Sequence, residues 1–436
     1  MKHLRSRIIL LLLAPIALVQ GQNSTSDSLT LSGLLNTVIT NYPALKIAEK
    51  ELVSADAKIG LTKTAYLPDV NFSTSYNRIG PVSSITLGVK EIKLYPEDMY
   101  NAAISINQNI YDFGKTARNL ELDEKSKDLV KLTVDQTKQK VSMAVMGYFY
   151  TISFLQEAIQ IKDDQLNTLN EHLQFVQKKA ATGSATQFDI MTTKVRMSVI
   201  ENQKTDLQTA LQIQSSQLNS YMGKPQDSPV LIKKEIQVQQ RIPSYDTLCN
   251  VALANRSELK MAFQKEAMTK SRLNVIKAQN NPSLSFLANG GFKNGYLNTA
   301  LEDVGKLNFT VGVGLKVPLF DANRSKYTKI QTNANFEENQ QETELMRRSI
   351  SNEVIESRAN AEASLKKVKQ SELQLQQALQ AYNLAEVSYK AGVVTNLDLL
   401  DSYTAVSESK LLLFKTKIDY TVNLQRLKIA IGEQIY

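Results

Sequence analysis

Aspartates beside two glycine turns carry the clearest chemical pattern in this chain. Asp398 and Asp401 stand three residues apart in Asn396-Leu397-Asp398-Leu399-Leu400-Asp401, so a helix there sets both carboxylates on one face. Crowded carboxylates repel, raise one another's pKa values and attract cations. Two of the acids have a plainer use. Thr186-x-x-Asp189 and Thr395-x-x-Asp398 both have the form of a capping box, with an acid at the positive end of a helix dipole. Asp401 has no such use, because the residue 209 positions earlier is Thr192.

Few other residues suggest chemistry. His172 is the only histidine besides His3, and helical spacing puts it on a helix surface next to Leu173. Cys249 is the single cysteine. These residues supply no metal cluster, no Cys-His pair and no serine triad. Gly312 and Gly314 form a G-x-G without the rest of a phosphate loop, inside an alternating segment. The ten methionines are scattered and define no soft-metal path. The expectation is a chain with no catalytic site, no cofactor and no metal.

The elements that would position the aspartates are long. From 115 to 181 there is no proline and one glycine, Gly147, and from 324 to 391 there is neither. Helices of about 100 Å follow at 1.5 Å per residue. In the first, Val145, Tyr148, Ile152, Leu155, Ile159, Leu166, Leu169, Leu173, Val176 and Ala180 keep steps of three and four, broken only at Lys162. That spacing predicts the packing seam of a coiled coil. Gly183 and Gly392 then end the helices, and partners starting at Thr186 and Thr395 must run back antiparallel.

Before each long helix the period changes to two. Val70, Phe72, Thr74 and Tyr76 alternate with Asn71, Ser73, Ser75 and Asn77, and Leu307, Phe309, Val311, Val313 and Leu315 with Asn308, Thr310, Gly312 and Gly314. Strands of this length with one apolar and one polar face suit a transmembrane barrel. Four such strands cannot close one, and an open edge in lipid leaves backbone groups unpaired. Several chains must therefore share the barrel.

The chain is also written twice. At an offset of 214, Tyr42-Pro43-Ala44-Leu45-Lys46 answers to Arg256-Ser257-Glu258-Leu259-Lys260, and Tyr66-Leu67-Pro68 to Asn280-Asn281-Pro282. At 209, Ile110-Tyr111-Asp112 answers to Leu319-Phe320-Asp321, Asp189 to Asp398, and Tyr221-Met222-Gly223 to Ala430-Ile431-Gly432. The slip falls between Pro68 and Asp112, which predicts a longer loop in the first copy. Such a period marks a duplicated domain-sized unit.

The predicted organisation is a signal peptide over 1–21 and a first repeat over 22–223, with strands at about 68–78 and 99–111 and a long helix at about 115–182. An equatorial connector over 224–245 follows, where 230–238 reads as a short strand or an irregular band. The second repeat covers 246–436, with strands at about 283–293 and 306–318 and a long helix at about 324–391. The fold class is mainly α with a small β part, each copy running helix, helix, strand, strand, long helix, helix.

Lys2, Arg5 and Arg7 before an apolar run at 8–19 have the order of a secretory signal. With no cysteine near Gly21 to carry a lipid anchor, the reading is a cleaved, exported and unlipidated chain. The net charge is +8, or +5 without those three residues, and it is spread without a basic run, which argues against nucleic acid as a partner.

With those residues in place the chain resembles the TolC-like outer-membrane efflux family over its whole mature length. The matching pieces are the duplication, Asn41-Tyr42-Pro43, Tyr66-Leu67-Pro68, Tyr111-Asp112-Phe113-Gly114-Lys115, Tyr389-Lys390-Ala391-Gly392 and the Asn396–Asp401 segment. The resemblance implies a homotrimer with a twelve-stranded barrel in outer-membrane lipid, continued into a periplasmic α-helical coiled-coil tunnel. It implies a periplasmic adaptor (membrane fusion) protein and an inner-membrane transporter as partners, in an efflux or type I secretion system. It further implies that Asp398 and Asp401 line the pore constriction and that Tyr389 and Asp189 hydrogen-bond across hairpins to hold it shut. The turns Gly183-Ser184-Ala185 and Gly392-Val393-Val394 would dock the adaptor. Val394 stands where the family's best-known pattern has an arginine, so fewer polar latches are expected. The alternative from the residues alone is a periplasmic coiled-coil adaptor or structural protein without a pore.

Overall fold

The two breaker-free runs form the two longest elements of the computed structural model, which describes residues 28–88, 90–236, 242–298, 300 and 302–435. The signal expected over 1–21 lies outside the described residues, as does part of the 230–238 band. The first half runs α1 (Leu31–Asn41), α2 (Pro43–Lys63), β1 (Asp69–Arg78), β2 (Ser84–Leu87), β3 (Lys90–Lys93), β4 (Asp98–Tyr111), α3 (Lys115–Ala181) and α4 (Gln187–Met222). The second runs α5 (Tyr245–Asn255), α6 (Ser257–Ala278), β5 (Ser283–Leu297), β6 (Asp303–Lys316), α7 (Arg324–Lys390) and α8 (Asn396–Ala430). Apart from β2 and β3, the second half repeats the order of the first.

Each long helix changes partners along its length. Near the sheet, α2 meets α3 through Lys58–Asp123 and Lys127–Asp56 pairs, and α6 meets α7 through Asn339 Nδ2 donating to Thr269 Oγ1 at 2.7 Å. Towards the far end, α4 pairs Lys204 with Asp163 of α3, and α8 pairs Lys417 with Glu372 of α7. The single seam predicted for α3 is too narrow. Phe149, Tyr150, Ala158 and Ile161 are buried beside the seam residues Val145, Ile152 and Leu155, because α3 packs against α1, α2, α4, α6 and α8 and so presents more than one face.

Two apolar cores sit where the short helices reach the middle of the long ones. One joins Leu34, Val38, Leu45, Val145, Phe149 and Leu218. The other joins Leu248, Leu259, Ile350, Val354, Tyr420 and Leu424. At equivalent stations the copies use different chemistry. Tyr42 stacks on Tyr221 at 4.7 Å in the first. In the second, buried Arg256 bonds to Glu258 at 2.9 Å, Glu353 at 2.8 Å and the Ala430 carbonyl at 3.2 Å.

The four main strands form one antiparallel sheet in the order β1-β4-β5-β6, leaving β1 and β6 with free edges. Register aligns Val70 with Ile106, Phe72 with Ile104, Phe286 with Val313 and Ala288 with Val311, so apolar residues share one face. Asn71 with Ser105, Ala103 with Gly291 and Asn289 with Thr310 share the other. The apolar face is bare within one chain: Leu307 is 87% and Phe309 83% exposed.

Two expectations need correction here. The longer loop of the first copy holds the β2–β3 hairpin, whose four-residue strands are too short to show a period. β5 and β6 run past their predicted outer ends, because an irregularity between Lys293 and Tyr296 lets pairing resume at Tyr296–Val304 and Leu297–Asp303. In the connector, the described part of 230–238 takes the irregular of the two expected forms, with a single parallel bridge, Leu29 with Ile232.

The strand-to-helix junctions are built alike in both copies. Asp112 accepts from the Gly114 amide at 3.0 Å and the Thr116 amide at 2.7 Å. Asp321 accepts from the Ser325 amide at 3.0 Å and Asn280 Nδ2 at 2.8 Å. Among the described residues no helix is long and apolar enough to cross a membrane.

Candidate gate at the tip of the helical hairpins

The ends of α3 and α7 fall together about 100 Å from the sheet, a distance set by their 67 residues each. Gly183 and Gly392 adopt left-handed backbone, φ +76° and +78°. The amides of Ser184 and Val393 reach back to the carbonyls of Lys179 and Ser388 at 2.8 and 2.9 Å. Both helices thus stop in a Schellman-type turn that glycine alone enters without strain. Thr186 and Thr395 then start α4 and α8 with complete capping boxes. Asp189 Oδ2 accepts from the Thr186 amide at 2.9 Å, and Asp398 Oδ2 from the Thr395 amide at 2.9 Å and hydroxyl at 2.6 Å. The Thr395 hydrogen bonds hold the Asp398 carboxyl below the usual carboxylate range.

The capping role therefore applies to Asp189 and Asp398, but both can still present charge. Asp398 is exposed and Asp189 half-buried. Asp401 lies one turn on and is exposed, yet Arg196 of α4 reaches it, Nη2 to Oδ1 at 2.5 Å. An arginine thus faces this acid from α4, while position 394 holds valine. Arg196 is one turn beyond Thr192, the residue that corresponds to Asp401, and that spacing is the signal that could have revealed it.

The hydrogen bond expected between Tyr389 and Asp189 is not made within the chain. The Asp189 carboxylate is turned back into its capping box. Tyr389 is buried, packs against the rings of His172 and Phe175 at 5.6 and 6.3 Å, and lies 4.8 Å beneath the Lys179 ammonium. Burial, and then the Asp189 charge, push its phenol upward.

The link between hairpins runs through residues the sequence reading passed over. His172 is half-buried, not a free surface residue, and its Nε2 meets Asn396 Oδ1 at 2.6 Å. Buried Asn396 donates from Nδ2 to the Asp189 carbonyl at 3.2 Å and towards the hydroxyls of Thr192 and Thr193 at 3.4 Å. With the amide donating there, its oxygen faces His172 as acceptor and the imidazole Nε2 must carry the proton. Leu169, Ile200 and Leu400 form a small apolar core just behind.

The turns themselves are open. Gly183, Ser184 and Gly392 are exposed, Ala185 and Val394 half-buried, and Val393 and Phe188 are 78% and 73% exposed. Among the described residues no group of acids, histidines or cysteines could hold a metal ion.

A duplicated helix-and-sheet unit with this tip has known counterparts. The sequence model described as outer membrane efflux protein matches residues 34–224 and 248–433, nearly all of both repeats. The chain belongs to the outer membrane efflux protein family. Within that family it is similar to the outer membrane protein TolC of Vibrio cholerae, 20% identical over 92% of this chain and 90% of that one. The proteases secretion protein PrtF of Dickeya chrysanthemi is 22% identical over 84% of this chain and 81% of that one. Among solved structures, the outer membrane protein VceC of Vibrio cholerae superimposes with a TM-score of 0.75 at 18% identity, covering 93% of this chain and 97% of that one. The outer membrane efflux fold therefore extends over sheet and tip together.

Proposed function

We propose that this chain is one subunit of a homotrimeric outer-membrane exit duct, a passive channel for substrates handed over by an inner-membrane transporter and a periplasmic adaptor. One observation carries the reading. The sheet has two free edges, and the outward residues of its edge strands, Phe72 on β1 and Leu307 and Phe309 on β6, are bare. Lipid on that face and further copies on those edges satisfy both at once. The resemblance to TolC and PrtF, whose names place them in the outer membrane and in protease secretion, supports efflux or secretion as the setting. A poreless periplasmic adaptor would leave the apolar face against water.

At the tip, Asp398 is read as the persistent constriction charge and Asp401 as a charge balanced by Arg196. Closure is assigned to the Asn396–His172 link and the packing of Tyr389, with Asp189 contributing its backbone carbonyl. The exposed turns around Gly183, Ser184, Ala185, Gly392, Val393 and Val394 are the docking surface for the adaptor tip. Extraction and reconstitution test the whole reading. The account expects a detergent-requiring, heat-modifiable oligomer that gives unitary current steps in planar bilayers. A protein released without detergent as a monomer, with no channel activity, would refute it.

A further inference from the structure

The polar face of the sheet carries a charge pattern that the tip does not explain. Lys293 of β5 and Lys306 of β6 are direct cross-strand partners. Both lie on the polar face, in line with Asn289 and Gly291 on one strand and Asn308 and Thr310 on the other. Like charges placed directly opposite destabilise a sheet. Tyr296, at the end of the same face, offsets part of that cost, with the two ammonium groups 5.4 and 5.9 Å from its ring centre. A ring holds an ammonium but accepts none of its hydrogen bonds in full.

Nearby carboxylates are engaged elsewhere. Glu97 pairs with Lys93 and Arg78, Asp98 accepts from Tyr76, and Asp303 accepts from Asn294 and the Gly295 amide. Glu302 is bonded to Asn298 and Glu91 to Ser84. A further donor stands beside Lys306: the Asn308 side-chain nitrogen is buried and has no hydrogen-bond partner. The face is concave here, with a hollow lined by Ser75, Asn101, Asn289, Lys293, Asn308 and Thr310. At the opposite end of the polar face, Lys316 on β6 is offset by a residue of opposite charge, Asp69 on β1. The excess of donors and positive charge is confined to the end away from the helices.

We propose that Lys293, Lys306 and Asn308 form a binding site for multivalent oxyanions, phosphate or carboxylate in kind, inside the outer mouth of the barrel. This rests on the duct reading, under which the polar face lines the lumen. Two lysines per chain then give six in a trimer, a positive collar at the outer end opposing the aspartates at the tip. Ammonium groups with free N–H donors bind such anions by charge-assisted hydrogen bonds. The collar favours anionic cargo on its way out and makes the open duct sensitive to anions from outside.

The test is single-channel recording of the full-length oligomer with sodium tripolyphosphate added to one side at a time. Block is expected from the side bearing the strand loops, weaker from the hairpin side, and relieved by rising salt. Lys293→Gln with Lys306→Gln should raise the half-blocking concentration about tenfold, the scale of a pair of exposed charge contacts. Lys293→Glu with Lys306→Glu should abolish block and bring in sensitivity to multivalent cations from the same side. Heat-modifiable assembly of each variant controls for folding, and the salt-dependent sidedness of the unmodified protein stands without any variant. Channels that tripolyphosphate does not block, or blocks equally in the Gln variant, would overturn the collar and leave the duct intact. No channel at all would overturn the duct reading and the collar with it.

Discussion

Arg196 changes what can be asked of Asp401. An ion pair this exposed contributes little to stability, but in the proposed gate it sets how much negative charge the constriction shows. Arg196→Ala is therefore expected to strengthen block by multivalent cations and raise cation selectivity, measured by reversal potential in a salt gradient, while the oligomer stays intact. The double variant Asp398→Ala with Asp401→Ala should do the reverse and enlarge conductance; unchanged unitary currents would contradict the assignment. Hydrogen bonds from Thr395 keep Asp398 charged below the usual carboxylate range, so its part of the cation block should persist into mildly acidic solution. Tyr389 is held by packing, with its ring between His172, Phe175 and Lys179. Tyr389→Phe should accordingly raise drug susceptibility only slightly, read by growth inhibition in a strain that depends on this duct. A tightly closed variant pore would count against it. The aspartates and turn glycines were legible from spacing alone. For Arg196 the repeat offers only its place one turn beyond Thr192, and for the Asn396–His172 link nothing, because an interhelix contact depends on how two hairpins lean together, and no periodicity within one helix encodes that.

Long helices, strands and turns could be read from the sequence because each is a local consequence of residue order: few breakers, a period of two, a glycine after the last helical turn. Burial around α3 was less legible, since a helix with five neighbours has no single face. The β2–β3 hairpin was missed because four-residue strands leave no pattern to count. At the junction between strand and long helix, Asp112 holds two amides that would otherwise be unpaired. Burial opposes its charge, and the bonds from Thr116 and Gly114 outweigh that and keep its carboxyl below the ordinary range. A group lowered on folding stabilises above its unfolded pKa and loses that effect as pH falls through the folded value. Asp112→Ala should therefore cost about 1 kcal/mol at neutral pH, seen as a lower temperature of oligomer dissociation, with the difference from the parent shrinking in acid. A variant as heat-resistant as the parent at neutral pH would show that the cap is dispensable.

For the whole molecule, the duplication solves a geometric problem. Each copy supplies one hairpin for the tip and two strands for the sheet, and the two copies differ where Tyr42 and Tyr221 stack in one and Arg256 is clasped by Glu258 and Glu353 in the other. One chain nonetheless leaves one edge each of β1 and β6 free, and everything said of lumen, collar and constriction depends on those edges meeting other copies. Asp69 and Lys316 sit at the same end of these two edge strands and on the same face. Cysteines at both positions, with Cys249→Ser in the background, should join neighbouring chains on oxidation in intact outer membranes. The account predicts a covalent ladder that ends at three chains. Monomers alone on the non-reducing gel, from a protein that remains in the membrane fraction, would contradict it.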